Sequence, residues 1–273
     1  MHPTLDRAER RDVTDAPAEV TVHSEYLVRK LAQAERNLYG TVKFDVVARQ
    51  IRERAPDLGR PPRILDIGCS TSISRTYLRE TGLEFDYCGA DYEASFEPDI
   101  VLDATRLSEH RADLPWRPDV ITLLDVLEHL PGQGPAIESV MRQCGQVVAH
   151  GGLILAVVPQ LYRLDRLKLP HLHYPEHHVR MTLKEWSEIV GRAVTIEAVH
   201  GIGYLSCLPY LPMLSPWYEE RNRHGKLFHH LRGKTFEWGP LKPMEKRLTR
   251  ALGQLSGFRG WCNSSLLVCR AKG

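Results

Sequence analysis

Arg63-Ile64-Leu65-Asp66-Ile67-Gly68-Cys69-Ser70-Thr71-Ser72 reads as a buried strand that ends in an acid, turns at a glycine and feeds a helix. Gly68 lets backbone come close to a ligand where a Cβ would clash. The turn falls at the carboxyl edge of a strand, where open α/β sheets bind their ligands. A helix starting near Thr71 or Ser72 is expected to aim its first N–H groups at that place.

On either side, short apolar runs alternate with helical patterns. The runs cover residues 63–67, 85–90, 100–103, 120–125, 153–158, 195–200 and 265–270, and the helical patterns 71–80, 135–148 and 182–190. This alternation predicts an α/β fold, a doubly wound, mostly parallel seven-stranded sheet with helices on both faces. Upstream, Leu27, Leu31, Ala34 and Leu38 recur at helical spacing behind a Ser24 cap. Tyr39-Gly40 is expected to break that helix, and Thr41 to cap a second one with Phe44, Val47, Ala48 and Ile51 inward. Between the last two strands, residues 203–264 are too long for a plain connection and are expected to hold helices near 217–231 and 241–255. The organisation read from this is a flexible leader (1–23), an N-terminal helical lid (24–60), a core (61–202 and 264–273) and a helical insertion (203–263) acting as a lid over the acceptor.

The chain has 273 residues, 42% hydrophobic and 26% charged, with a net charge of +2. That composition excludes a collagen, a disordered tail and a disulfide scaffold. It also disfavours a protein that wraps long nucleic acid, which is far more basic. No pair among Cys69, Cys88, Cys144, Cys207, Cys262 and Cys269 has CxxC spacing. Reduced thiols and a cytoplasmic location are expected. Residues 1–20 lack the apolar core of a signal peptide. Residues 198–218 carry no Asp, Glu, Lys or Arg but contain Pro209, Pro212 and Pro216. Three prolines argue against a spanning helix and for a kinked apolar lid. Residues 221–259 hold ten basic side chains against Glu237 and Glu245.

Further acids close the other strands: Asp91 in Cys88-Gly89-Ala90-Asp91-Tyr92, Asp103 in Leu102-Asp103-Ala104, and Asp125 in Asp125-Val126-Leu127-Glu128-His129-Leu130. Together with Asp66 to Cys69 and the Gly151-Gly152-Leu153 turn, these segments resemble the class I S-adenosylmethionine-dependent methyltransferases over residues 39–270. The resemblance implies a Rossmann-like methyltransferase fold and S-adenosylmethionine as cofactor. It implies that Asp66 and Gly68 meet the amino-acid end of the cofactor, with Cys69 and Ser70 as further cofactor-binding residues. Asp91 would hold the ribose beside Tyr92, Asp103 and Ala104 the adenine, and Leu124 and Asp125 the methionine side. Ser70 and Ser72 depart from the family pattern, which has further glycines there.

On the acceptor side, His171, His173, His177 and His178 crowd the segment after the fifth strand. Histidine titrates near neutrality and suits a general base. His129, His177 and His178 are therefore the candidate catalytic residues. Asp125, Glu128 and His129 could converge on a cation, and this motif resembles the metal site of ubiquinone-pathway O-methyltransferases, but a metal-free site is expected. Tyr26, Tyr39, Tyr204, Tyr210, Trp217 and Tyr218 are candidate walls for a small-molecule acceptor, amphiphilic or anionic. The expected activity is O-methylation in secondary metabolism or in glycan or lipid precursor synthesis. The alternatives are an RNA 3′-terminal 2′-O-methyltransferase and a catalytically idle fold used as a partner-binding subunit.

Overall fold

The computed structural model describes residues 37–55, 58–160, 177–219, 221–237 and 239–272. The leader, the helix expected from Ser24, Tyr26, His171 and His173 lie outside the described residues.

Seven strands form one sheet: β1 (Arg63–Ile67), β2 (Asp86–Asp91), β3 (Ile100–Val101), β4 (Val120–Leu124), β5 (Leu153–Pro159), β6 (Val194–Ile202) and β7 (Ser264–Ala271). Their order is β3-β2-β1-β4-β5-β7-β6. β7 runs antiparallel to both its neighbours, and the other pairings are parallel. Successive side chains of a strand point to opposite faces, and β5 shows the effect. Leu153, Leu155 and Val157 join one buried cluster, and Ile154, Ala156 and Val158 join the other.

The first face is covered by α1 (Leu38–Arg54) and α2 (Ile73–Glu80), through Val42, Phe44, Val47, Ile51, Tyr77 and Leu78. The second is covered by α3 (Gln133–Val147) and α4 (Leu183–Ala193), through Ile137, Met141, Cys144, Trp186 and Val190. The described half of the expected N-terminal lid is thus a layer of the core.

Several helix starts differ from expectation, each for a local reason. Asn37 caps α1 by accepting from the Gly40 N–H at 2.6 Å, and the Thr41 hydroxyl donates back to the Asn37 carbonyl at 3.0 Å. Gly40 and Thr41 therefore sit in the first turn of one helix, not between two. α2 starts at Ile73 because Ser70 (φ 49°) and Ser72 (φ 57°) hold left-handed backbone. In the insertion, Asn222 accepts from the His224 and Gly225 N–H groups at 2.8 and 3.2 Å, so α5 runs Arg223–Glu237. α6 runs Lys242–Leu252. The proline-rich apolar stretch after β6 is a 3-10 helix, Leu205–Leu214, with Pro209 and Pro212 inside it. Among the described residues, no helix is long and apolar enough to cross a membrane.

Candidate active site at the carboxyl ends of the strands

The turn after β1 is folded down onto the end of β2. The Gly68 and Cys69 N–H groups both donate to the Ala90 carbonyl, at 2.8 and 3.1 Å. The Ser70 N–H donates to Asp91 Oδ2 at 2.8 Å, and Asp91 Oδ1 accepts from the Glu93 N–H at 3.1 Å. A buried Asp91 is thus held by two backbone donors, and a carboxylate has lone pairs for further partners. Gly68 lies at φ 69°, and a Cβ there would meet Val126 Cγ2 at 2.4 Å. Only glycine lets the β1 turn and the loop after β4 touch.

Asp66 is buried beneath the turn and committed to the fold. It accepts from the hydroxyls of Ser74, of Tyr87 at 2.7 Å and of Thr122 at 2.6 Å. Burial raises its carboxyl, and these hydroxyls pull the other way. The Cys69 thiol is pushed up to about 12, chiefly by burial. Asp103 is exposed at the end of β3 and caps the turn Ala104–Arg106 through the Thr105 N–H at 2.8 Å. Tyr92 is exposed, and Leu124 packs partly against the first-face cluster.

Asp125 has left-handed backbone (φ 60°), and its N–H donates to the Val157 carbonyl at 3.1 Å. Lys43 Nζ lies 2.8 Å from Asp125 Oδ2 in a largely buried ion pair. The Tyr39 hydroxyl is 2.8 Å from Ser264 Oγ and 3.3 Å from Asp125 Oδ1. Burial and then the Asp125 charge raise the Tyr39 phenol well above its ordinary range. Lys43 and Ser264 escaped the sequence reading. The available signal was spacing: Lys43, Val47 and Ile51 stand at i, i+4 and i+8, which puts a lysine on the buried face of α1.

Beyond Asp125, the buried Glu128 precedes His129, with His129 Nε2 4.0 Å from Glu128 Oε1. The rings of His129 and His177 meet edge to face, centroids 4.9 Å apart. Ligating atoms of Glu128, His129 and His177 all lie within 4.8 Å of one another. The Val179 N–H donates to the Glu128 carbonyl at 3.1 Å and pins the later segment here. His178 is exposed and is not part of this group. Of the three histidines expected to act, the fold brings two together.

A sequence model of methyltransferase domains matches residues 39–193. The chain belongs to this methyltransferase family. It is similar to the ubiquinone biosynthesis O-methyltransferase of Proteus mirabilis, 30% identical over 112 residues, covering 37% of this chain and 43% of the relative. It is also similar to the Escherichia coli (strain HS) protein of that description, 30% identical over 146 residues, covering 49% and 57%. The chain thus spans about half the length of the curated relatives it matches. An S-adenosylmethionine-dependent methyltransferase of Clostridium acetobutylicum shares the fold, with a TM-score of 0.51 at 9% identity over 91% of this chain and 98% of the other.

S-adenosylmethionine is the cofactor of this methyltransferase family, and the residues present fit it. Its sulfonium and ammonium are cationic, and the acids Asp91, Asp103 and Asp125 stand at or just beyond the carboxyl ends of β2, β3 and β4. Its ribose diol suits the buried, backbone-anchored Asp91.

Proposed function

We propose that this chain is an S-adenosylmethionine-dependent methyltransferase that methylates a hydroxyl of a small, amphiphilic or anionic molecule. The observation that carries the reading is the meeting of His129 and His177 at the same strand edge as Asp91 and Asp125. The O-methyltransferase names of the curated relatives support oxygen as the acceptor atom.

The bound cofactor supplies an electrophilic methyl group on a sulfonium. Asp91 would accept from the ribose hydroxyls, and the Gly68-Cys69-Ser70 turn would hold the amino-acid end. Asp66 acts one step back, as the residue that positions this turn from below. Asp103 and Ala104 would hold the adenine, with Tyr92 beside them as a further cofactor contact. Leu124 and Asp125 line the methionine side, and Lys43 and Tyr39 fix the Asp125 carboxylate. His129 or His177 takes the proton of the acceptor hydroxyl as its oxygen attacks. Glu128, 4.0 Å from His129, favours the imidazolium so formed.

The test has two arms. Calorimetry with S-adenosylmethionine should show binding, weakened in Asp91→Ala by roughly 1.5–3 kcal/mol, the worth of a hydrogen bond to a charged group. Transfer of labelled methyl to a panel of hydroxylated aromatic and amphiphilic compounds should fall about 10²–10⁴-fold in His129→Ala or His177→Ala. It should change little in His178→Ala. No cofactor binding, or full activity in all three histidine variants, overturns the proposal. A second reading is favoured by the Glu128–His129–His177 cluster: a divalent cation held there, which orients the acceptor. Loss of transfer on chelation, restored by added magnesium, selects it.

A further inference from the structure

The 3-10 helix Leu205–Leu214 leaves β6 at the same sheet edge as the site. Its root is fixed. Gly203 takes φ 80°, where a Cβ would crowd Ser206, Asn263 and the Tyr39 ring. The buried Glu245 of α6 accepts from the Leu205 N–H at 2.8 Å. With three residues per turn, side chains at i and i+3 stack in rows. One row, Ser206, Pro209 and Pro212, is buried. The next row is Leu205, Leu208, Leu211 and Leu214, and it faces outward: Leu208 is 43% and Leu211 56% exposed, with Leu205 and Leu214 half-buried. Trp217, just beyond, is 76% exposed.

α5 packs beside this helix, with the Phe228 ring 5.6 Å from Tyr210 and 6.1 Å from Tyr218. Its outer face carries Arg223, Lys226 and Leu227, all exposed, and Arg221 precedes it. Among the described residues, none of Arg221, Arg223 and Lys226 forms an ion pair. Glu219 is the acid on the described part of the linker. A leucine row with an exposed tryptophan, beside a helix whose exposed Arg223 and Lys226 form no ion pair among the described residues and lie beyond the acids Glu219 and Glu220, matches a surface that is apolar inside and anionic at its boundary. Amphipathic segments of this make-up lie in the headgroup plane of a membrane.

We propose that the Leu205–Leu214 helix and the adjoining face of α5 dock on an anionic lipid surface, leucines and Trp217 inserted and Arg221, Arg223 and Lys226 on the headgroups. The proposal does not depend on methyl transfer. If both hold, the site edge opens beside the bilayer, and an amphiphilic acceptor reaches it without leaving the lipid.

The test uses the whole chain and vesicles, with no substrate. Flotation should show binding to vesicles of phosphatidylcholine with phosphatidylglycerol, and little to phosphatidylcholine alone. Raising salt to about 1 M should release it, because the screening length falls to about 3 Å. Leu208→Ser with Leu211→Ser, and separately Arg223→Gln with Lys226→Gln, should each weaken partitioning about tenfold or more while leaving thermal unfolding unchanged. Vesicles should shift the tryptophan emission to the blue, and Trp217→Phe should remove most of that shift. No binding to anionic vesicles, equal binding to neutral ones, or indifference to both double variants overturns the proposal. So does concentration-dependent self-association by light scattering that the leucine variants abolish without any vesicle binding, since the row would then face a second copy.

Discussion

Two serines hold backbone that glycine adopts at least cost. Gly68, Ser70 and Ser72 all have positive φ, so the turn keeps the alternate left-handed rhythm of a glycine-rich loop with serine at two of three places. A left-handed L-residue is strained by about 1–2 kcal/mol, partly offset by the greater freedom that glycine loses on folding. Ser70→Gly and Ser72→Gly are each expected to raise stability by about 0.5–1 kcal/mol in denaturant melts, with no loss of the Ser70 N–H bond to Asp91. The acid-ended strands, the glycine turn and Asp91 were readable because they repeat a local pattern at fixed offsets. The serine departure was visible as letters, but its conformation was not: it is imposed by Asp91 and Ala90, which lie about twenty residues on. Lys43 and Ser264 reach the site from the two ends of the described chain, a juxtaposition that only the sheet order creates.

Strands were the most legible elements, since most of them are short apolar runs that feed the two buried clusters. Helix starts were the least, because single side chains set them: Asn37 for α1 and Asn222 for α5. The insertion, too, is tied down by a few polar contacts. Asp45 of α1 accepts from Lys246 Nζ at 2.9 Å and Arg250 Nη2 at 3.1 Å, both on α6. Burial alone would raise the Asp45 carboxyl, yet the two cations hold it below its usual 3.8. A carboxyl whose folded pKa is depressed stabilises fully above the unfolded value and loses that contribution as pH falls through the folded one. Asp45→Asn is therefore expected to cost about 1 kcal/mol at neutral pH, a partly exposed charged pair being worth little more. The gap between variant and parent should close below pH 3.8 in melts across pH.

At the scale of the molecule, one buried histidine ties the fold to pH: His200 on β6, 2% exposed. Burial, then Arg49, Arg54 and Arg259, lower its imidazole from 6.5 to about 4. The folded chain keeps this ring neutral while the unfolded chain protonates it. Stability should be full above pH 6.5, decline with a one-proton slope towards pH 4, and His200→Leu should flatten that interval. The sheet order sets a different constraint, on the time at which the fold can close. β7 lies between β5 and β6, so β6 has no route into the sheet until β7 exists. About 110 residues of chain separate the end of β5 from the end of β7. At the usual pace of translation, roughly 5–20 residues per second, β5 presents an open edge for roughly 6–20 seconds. During synthesis the parallel half, β1 to β5, must persist as an unfinished sheet, and its bare β5 edge is the place where a nascent chain of this protein is open to capture by another.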